Sequence, residues 1–143
     1  MSLRQQVIAE TLRWVGTPYR HQASRRGVGC DCLGLVLGVW RQVCGAPPQL
    51  PGPYAPDWAE TGEDLLLAAA RRHCREIAPG EARPGDLLLF RWRPHLPCRH
   101  VGILMPDGRF AHACQGCAVV LSALVPQWRQ RIAASFLFPD KEL

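Results

Sequence analysis

A chain of 143 residues, 48% hydrophobic and 20% charged, has the make-up of an ordinary globular protein, and residues 1–143 read as one domain with a single core. Its 17 basic and 12 acidic residues give a net charge of +5, yet lysine occurs only at Lys141 and no basic run alternates with aromatics, so no nucleic-acid partner is expected. The seven cysteines lack the spacing of a disulfide framework, the N-terminus has no hydrophobic signal core and no apolar run reaches membrane-spanning length; the expectation is a reduced chain made in the cytoplasm, without a signal peptide and with no membrane partner.

Ser2 to Val15 has the period of an amphipathic helix, with Leu3, Val7, Ile8, Leu12 and Val15 on one face, ended by Gly16-Thr17-Pro18-Tyr19. Arg20 to Gly29 is polar and glycine-bearing and reads as a loop. It leads into Gly29-Cys30-Asp31-Cys32, where Asp31 can cap a helix running from Cys32 to Cys44. That helix is apolar apart from Arg41 and Gln42 and is expected to be buried. Cys32 would lie in its first turn, where the helix dipole and unpaired N–H groups favour a thiolate. From this stretch alone Cys32 reads equally as an activated nucleophile or as a small core residue.

Ala46 to Pro56 is a proline-rich connector of extended backbone carrying Tyr54, with Trp58 just beyond it. Thr61 is a possible cap for a helix of about Gly62 to Cys74. From Arg83 the period changes. Pro84-Gly85 turns into a strand from Asp86 to Trp92, followed by strands His100–Met105, Arg109–Ala113 and Ala118–Leu121. A helical turn around Leu124 to Gln130 precedes a final strand, Ala133–Phe138. Helices first and an antiparallel meander after them predict an α+β fold with the helices packed on the sheet.

A thiolate needs a base, and the base needs an orienting partner. His21, His73 and His95 fall in loop or helix-end settings and read as solvated, whereas His100 and His112 have fixed places on adjacent strands. For those two to cooperate they must share a face of the sheet. A three-residue loop, Pro106-Asp107-Gly108, pairs Met105 with Arg109 and His112 with Gly102, which does so; a two-residue loop would not. Proline at the first turn position and Gly108 in the left-handed region favour the first register, with both histidines facing the start of the Cys32 helix.

The order Tyr19, Asp31-Cys32 opening a helix, Pro84-Gly85-Asp86 before a strand, His100-Val101-Gly102-Ile103, then Phe110-Ala111-His112-Ala113 resembles the NlpC family of papain-like cell-wall peptidases. Leu33 after the cysteine, the Trp40 helix and the connector Pro53-Tyr54-Ala55-Pro56-Asp57-Trp58 look most like its phage-tail and gene-transfer-agent branch. The resemblance implies a papain-like fold with Cys32 as nucleophile, His100 as general base and His112 as the residue orienting it, without cofactor or metal. It implies that Tyr19 and Asp31 help hold the substrate; the helix-start setting itself predicts that Cys32 is partly exposed and its thiol the most reactive of the chain to alkylation. Many members have serine directly after the cysteine; Leu33 removes that hydroxyl and bears on recognition of a free stem-peptide N-terminus. The implied activity is hydrolysis of amide bonds in peptidoglycan stem peptides, typically between D-γ-glutamate and the diamino acid. The implied partners are peptidoglycan and tail or gene-transfer-agent baseplate proteins, and the implied location is tail-associated, acting on the wall. Two rival readings are a zinc-binding structural module, from Cys114, Cys117, Cys98 and His100, and a tail-tip structural protein of little activity.

Overall fold

Ser2 and Gln5 form a reciprocal capping box, with Gln5 N–H donating to Ser2 Oγ at 3.1 Å and Ser2 N–H to Gln5 Oε1 at 2.8 Å. They start helix α1, Leu3–Trp14. Its buried face is not the expected one. Val7, Glu10, Thr11 and Trp14 are buried, while Leu12 and Val15 are exposed. The polar members of that face are satisfied locally: Thr11 donates to the Val7 carbonyl at 2.7 Å, and Glu10 accepts from Trp14 Nε1 at 2.8 Å. Trp14 can turn inward because a Cβ on Gly38 would overlap its indole, so only glycine there lets α1 approach its neighbour.

The structure, a computed structural model, describes residues 1–48 and 64–140. The expected connector beyond Pro48, with Tyr54, Trp58 and the Thr61 cap, lies outside them. The segment expected as a plain loop contains a small hairpin, β1 (Ser24–Arg25) with β2 (Gly29–Cys30). Helix α2 is Cys32–Val43 and begins where the sequence places it. Helix α3 is Leu65–His73, and Asp64 at its cap position makes no capping bond. The Asp64 carboxylate instead accepts from Cys98 N–H at 3.0 Å, tying α3 to the loop before His100.

The remaining elements are β3 (Arg75–Ile77), β4 (Leu87–Phe90), β5 (His100–Met105), β6 (Arg109–Ala113), β7 (Val119–Ala123), a short α4 (Pro126–Arg129) and β8 (Ile132–Leu137). They make a six-stranded antiparallel sheet of order β3-β8-β4-β5-β6-β7. The meander therefore covers only β4 to β7. The last strand crosses back to insert between β4 and an edge strand, β3, that the sequence did not suggest.

Alternation along the strands divides the core. Leu87, Leu89, Val101, Ile103 and Ala111 join Val7, Trp14, Leu35 and Val39 in the larger cluster, between the sheet and the helices. Leu88, Phe90 and Phe110 point to the other face, where Leu124 and Trp128 cover them. At the sheet's end, Asp86 is buried and holds α1 to β4: it pairs with Arg4 at 3.1 Å and accepts from Arg83 N–H at 2.9 Å. The Pro84-Gly85-Asp86 motif thus positions the fold.

Candidate active site

The β5–β6 hairpin sets the geometry. Met105 faces Arg109, Leu104 faces Phe110 and Ile103 faces Ala111, so the same register sets His112 opposite Gly102 and on the face of His100. This is the register of the three-residue loop. Gly108 has φ 68, as expected, but Asp107 also has φ 66. The turn therefore has two successive left-handed residues, and is not the type I turn with a single left-handed glycine; aspartate is among the residues that tolerate this region. Gly102 makes the room: a Cβ there would lie 2.8 Å from the Ala111 carbonyl oxygen and 3.4 Å from His112 Cβ.

The rings meet directly. His100 Nε2 lies 2.8 Å from His112 Nδ1, and His112 Nε2 lies 2.8 Å from Ser122 Oγ. Phe110 stacks on His112 at 4.3 Å between centroids, Trp92 stacks on His100 at 6.1 Å, and Trp128 lies edge-on to His112 at 5.3 Å. The pair shares the sheet face of Phe90 and Phe110, which is turned away from α1 and α2. Cys32 joins the histidines at the end of the sheet, where all three line one cavity. Burial pushes His100 down to about 3, helped by His112 and Arg99, and burial alone pushes His112 down to about 4. Both rings are neutral at physiological pH.

On the other side of the cavity, Asp31 caps α2, accepting from Gly34 N–H at 2.7 Å. Its second oxygen accepts from Gln22 N–H at 2.7 Å and has His21 Nδ1 at 3.8 Å. Asp31 is 2% exposed. Its carboxylate is committed to holding the start of α2 and the loop before it, with Gln22 in the left-handed region at φ 62. His21, expected to be solvated, is half-buried and lines the cavity.

Cys32 is half-buried at the first position of α2, as expected. The expected fall in its pKa does not occur. Backbone N–H groups of Val101, Leu33 and Cys32 itself favour the thiolate, but burial and then the Asp31 charge outweigh them and push the thiol up to about 12. Burial likewise raises Cys30 to about 12 and Cys98 to about 11, whereas Cys117 is exposed. The dipole argument failed because it considered the helix end alone, without the sheet that closes over it. Tyr19 is half-buried on the same cavity, and burial followed by the Asp31 and Cys32 charges raises its pKa. Its N–H donates to the Cys117 carbonyl at 3.1 Å, so the Cys114–Cys117 turn pins it in place.

All five residues singled out in the sequence (Tyr19, Asp31, Cys32, His100 and His112) therefore line one cavity. Ser122, Trp92, Trp128 and Arg99 were missed. The first is legible only once the β6–β7 pairing is known, and Trp128 only once α4 is known to fold over the sheet. Among the described residues no three His, Cys, Asp or Glu side chains stand close enough to hold a metal ion together.

Residues 16–135 match the NlpC/P60 family. The Gamma-DL-glutamyl hydrolase of Bacillus subtilis is 30% identical over 127 residues, which cover 88% of this chain and 27% of that protein. The Murein DD-endopeptidase MepS/Murein LD-carboxypeptidase of Escherichia coli K12 is 27% identical over 132 residues, covering 92% of this chain and 61% of the relative. These curated relatives are longer, and the chain spans between 27% and 61% of them. The solved NlpC/p60 domain of the peptidoglycan hydrolase SagA is 26% identical with a TM-score of 0.60, covering 96% of this chain and 98% of that one. With a family match over most of its length and the papain-like α+β fold of solved members, the chain belongs to the NlpC/P60 family.

Proposed function

We propose that the chain is a cysteine peptidase that hydrolyses amide bonds in peptidoglycan stem peptides. The observation that carries this reading is the ordered set Cys32, His100 and His112 on one cavity, with His100 Nε2 engaged by His112 at 2.8 Å. That contact leaves Nδ1 as the His100 nitrogen for the thiol proton. Cys32 is the nucleophile, His100 the general base and His112 the group that orients it.

Burial keeps the thiol and both imidazoles neutral at rest, so proton transfer accompanies attack once a substrate carbonyl fills the cavity. The sulfur bonds to the carbonyl carbon as its proton passes to His100 Nδ1. N–H groups at the start of α2 stabilise the oxyanion. The imidazolium returns its proton to the leaving amine, a thioester forms, and water then hydrolyses it with His100 again as base. Tyr19 flanks the nucleophile and helps hold the substrate. Asp31 contributes through its hold on the helix start, and any contact with a substrate amine would add to that.

The named relatives act on different linkages, one on γ-glutamyl bonds and one as a DD-endopeptidase. We favour the D-γ-glutamyl–diamino acid bond. Leu33 is half-buried against the core and gives the cavity an apolar corner where many members have serine. That supports substrates whose N-terminus is not a free amine. Leu33, Trp40 and the 53–58 connector support a place in the phage-tail or gene-transfer-agent branch, with baseplate proteins as partners and the cell wall as the site of action. Purified stem peptides, with free and with blocked N-termini, test the substrate. Release of a new diamino-acid amine from both, with no preference for the free form, is the expected result; no cleavage of either would overturn the reading.

A further inference from the structure

His112 is buried, and both its ring nitrogens have partners: His100 Nε2 at 2.8 Å and Ser122 Oγ at 2.8 Å. Ser122 stands opposite Phe110 in the β6–β7 ladder, and His112 stands opposite Val120. The hydroxyl therefore reaches His112 diagonally across the sheet face. Cys114 Sγ is 3.9 Å from each ring nitrogen and, being equidistant, favours neither of them as the protonated one. Ser122 is half-buried opposite the buried Phe110, on the sheet face whose cluster is otherwise apolar. A hydroxyl at this place has a different use.

A neutral imidazole has one donor and one acceptor nitrogen. Because both rings are neutral, the chain of bonds has a direction. For His100 to take the Cys32 proton, its Nδ1 must be the acceptor, and Nε2–H then donates to His112 Nδ1. His112 must carry its own proton on Nε2 and donate it to Ser122. In the reverse direction Ser122 O–H would donate to Nε2, His112 would be protonated on Nδ1, and the proton would reach His100 Nδ1 and block the base. We propose that Ser122 is a positioning residue: its oxygen accepts from His112 Nε2–H and so sets the tautomers of His112 and His100 that leave His100 Nδ1 open. This rests on the cysteine-peptidase reading.

The direction of the bonds can be observed without substrate. In protein labelled with ¹⁵N-histidine at neutral pH, both His100 and His112 should show Nε2–H and unprotonated Nδ1. Ser122→Ala should place part of the His112 population in the other tautomer, and Ser122→Thr, which keeps the hydroxyl on a strand, should restore the wild-type spectrum. With stem peptide, Ser122→Ala should lower kcat by roughly tenfold at nearly unchanged KM, a small part of the 10²–10⁴ that acid–base catalysis supplies, and Ser122→Thr should recover it. Wild-type His112 protonated on Nδ1, or a Ser122→Ala variant with unchanged tautomers and kcat, would overturn the proposal while an active wild type left the peptidase reading standing. The expected tautomers in a wild type that cleaves nothing would overturn the peptidase reading and, with it, the catalytic use of Ser122.

Discussion

In the proposed mechanism Cys32 and His100 act as one acid–base unit, and that sets what single substitutions should do. Cys32→Ala and His100→Ala should each reduce stem-peptide cleavage to background, and the double variant should be no worse than either single one, in a turnover assay. His112→Ala should retain more activity, because water can occupy part of the orienting position. Full activity in His100→Ala would remove it from the mechanism. Asp31 calls for a different readout. With both oxygens on backbone N–H groups, Asp31→Ala should cost about 1–2 kcal/mol of stability in chemical denaturation through the lost cap. A variant of unchanged stability but raised KM would make Asp31 a substrate contact first and a cap second.

At the scale of elements, the β5–β6 hairpin carries the site, and its closest tolerance is at Gly102. Gly102→Ala should push a Cβ against the Ala111 carbonyl oxygen, 2.8 Å away, separating the strands that align the histidines. We expect a loss of about 1–3 kcal/mol, typical of overpacking, accompanied by a fall in kcat. Unchanged stability would mean that the strands are not so closely paired there. The register of the hairpin was legible in the sequence because loop length and the two-residue alternation act locally, although its turn type was not, Asp107 sharing the left-handed region with Gly108. The Asp31 cap and the start of α2 were legible because capping is local too. What depended on distant pairing was not: β3 and the return of β8 between β3 and β4 require residues far apart in sequence, and Ser122 was missed because β7 runs on to Ala123, past its expected end at Leu121. The buried face of α1 was misjudged because Glu10 and Trp14 satisfy each other, which hydropathy alone counts as polar.

On the scale of the whole molecule, closing the sheet over the site is what shifts its titrations. His100 and His112 go from the ordinary 6.5 to about 3 and about 4 in the fold, so between those values the unfolded chain binds more protons than the folded one. Their contribution to stability is therefore intact above about 6.5 and is lost as pH falls through about 4 toward about 3. Denaturant midpoints should decline over that window, and the decline should be smaller in His112→Asn; a flat profile would mean that the rings are solvated. The same burial means that alkylation of the resting protein is no guide to the nucleophile, since exposed Cys117 competes with Cys32. The most direct measurement uses the wall itself: mass spectrometry of the soluble fragments that purified sacculi release with wild type and with Cys32→Ala. The wild type should release stem-peptide fragments cut at one amide bond and the variant none. Equal release by the two would contradict Cys32 as the nucleophile, and no release by the wild type would contradict a peptidoglycan peptidase.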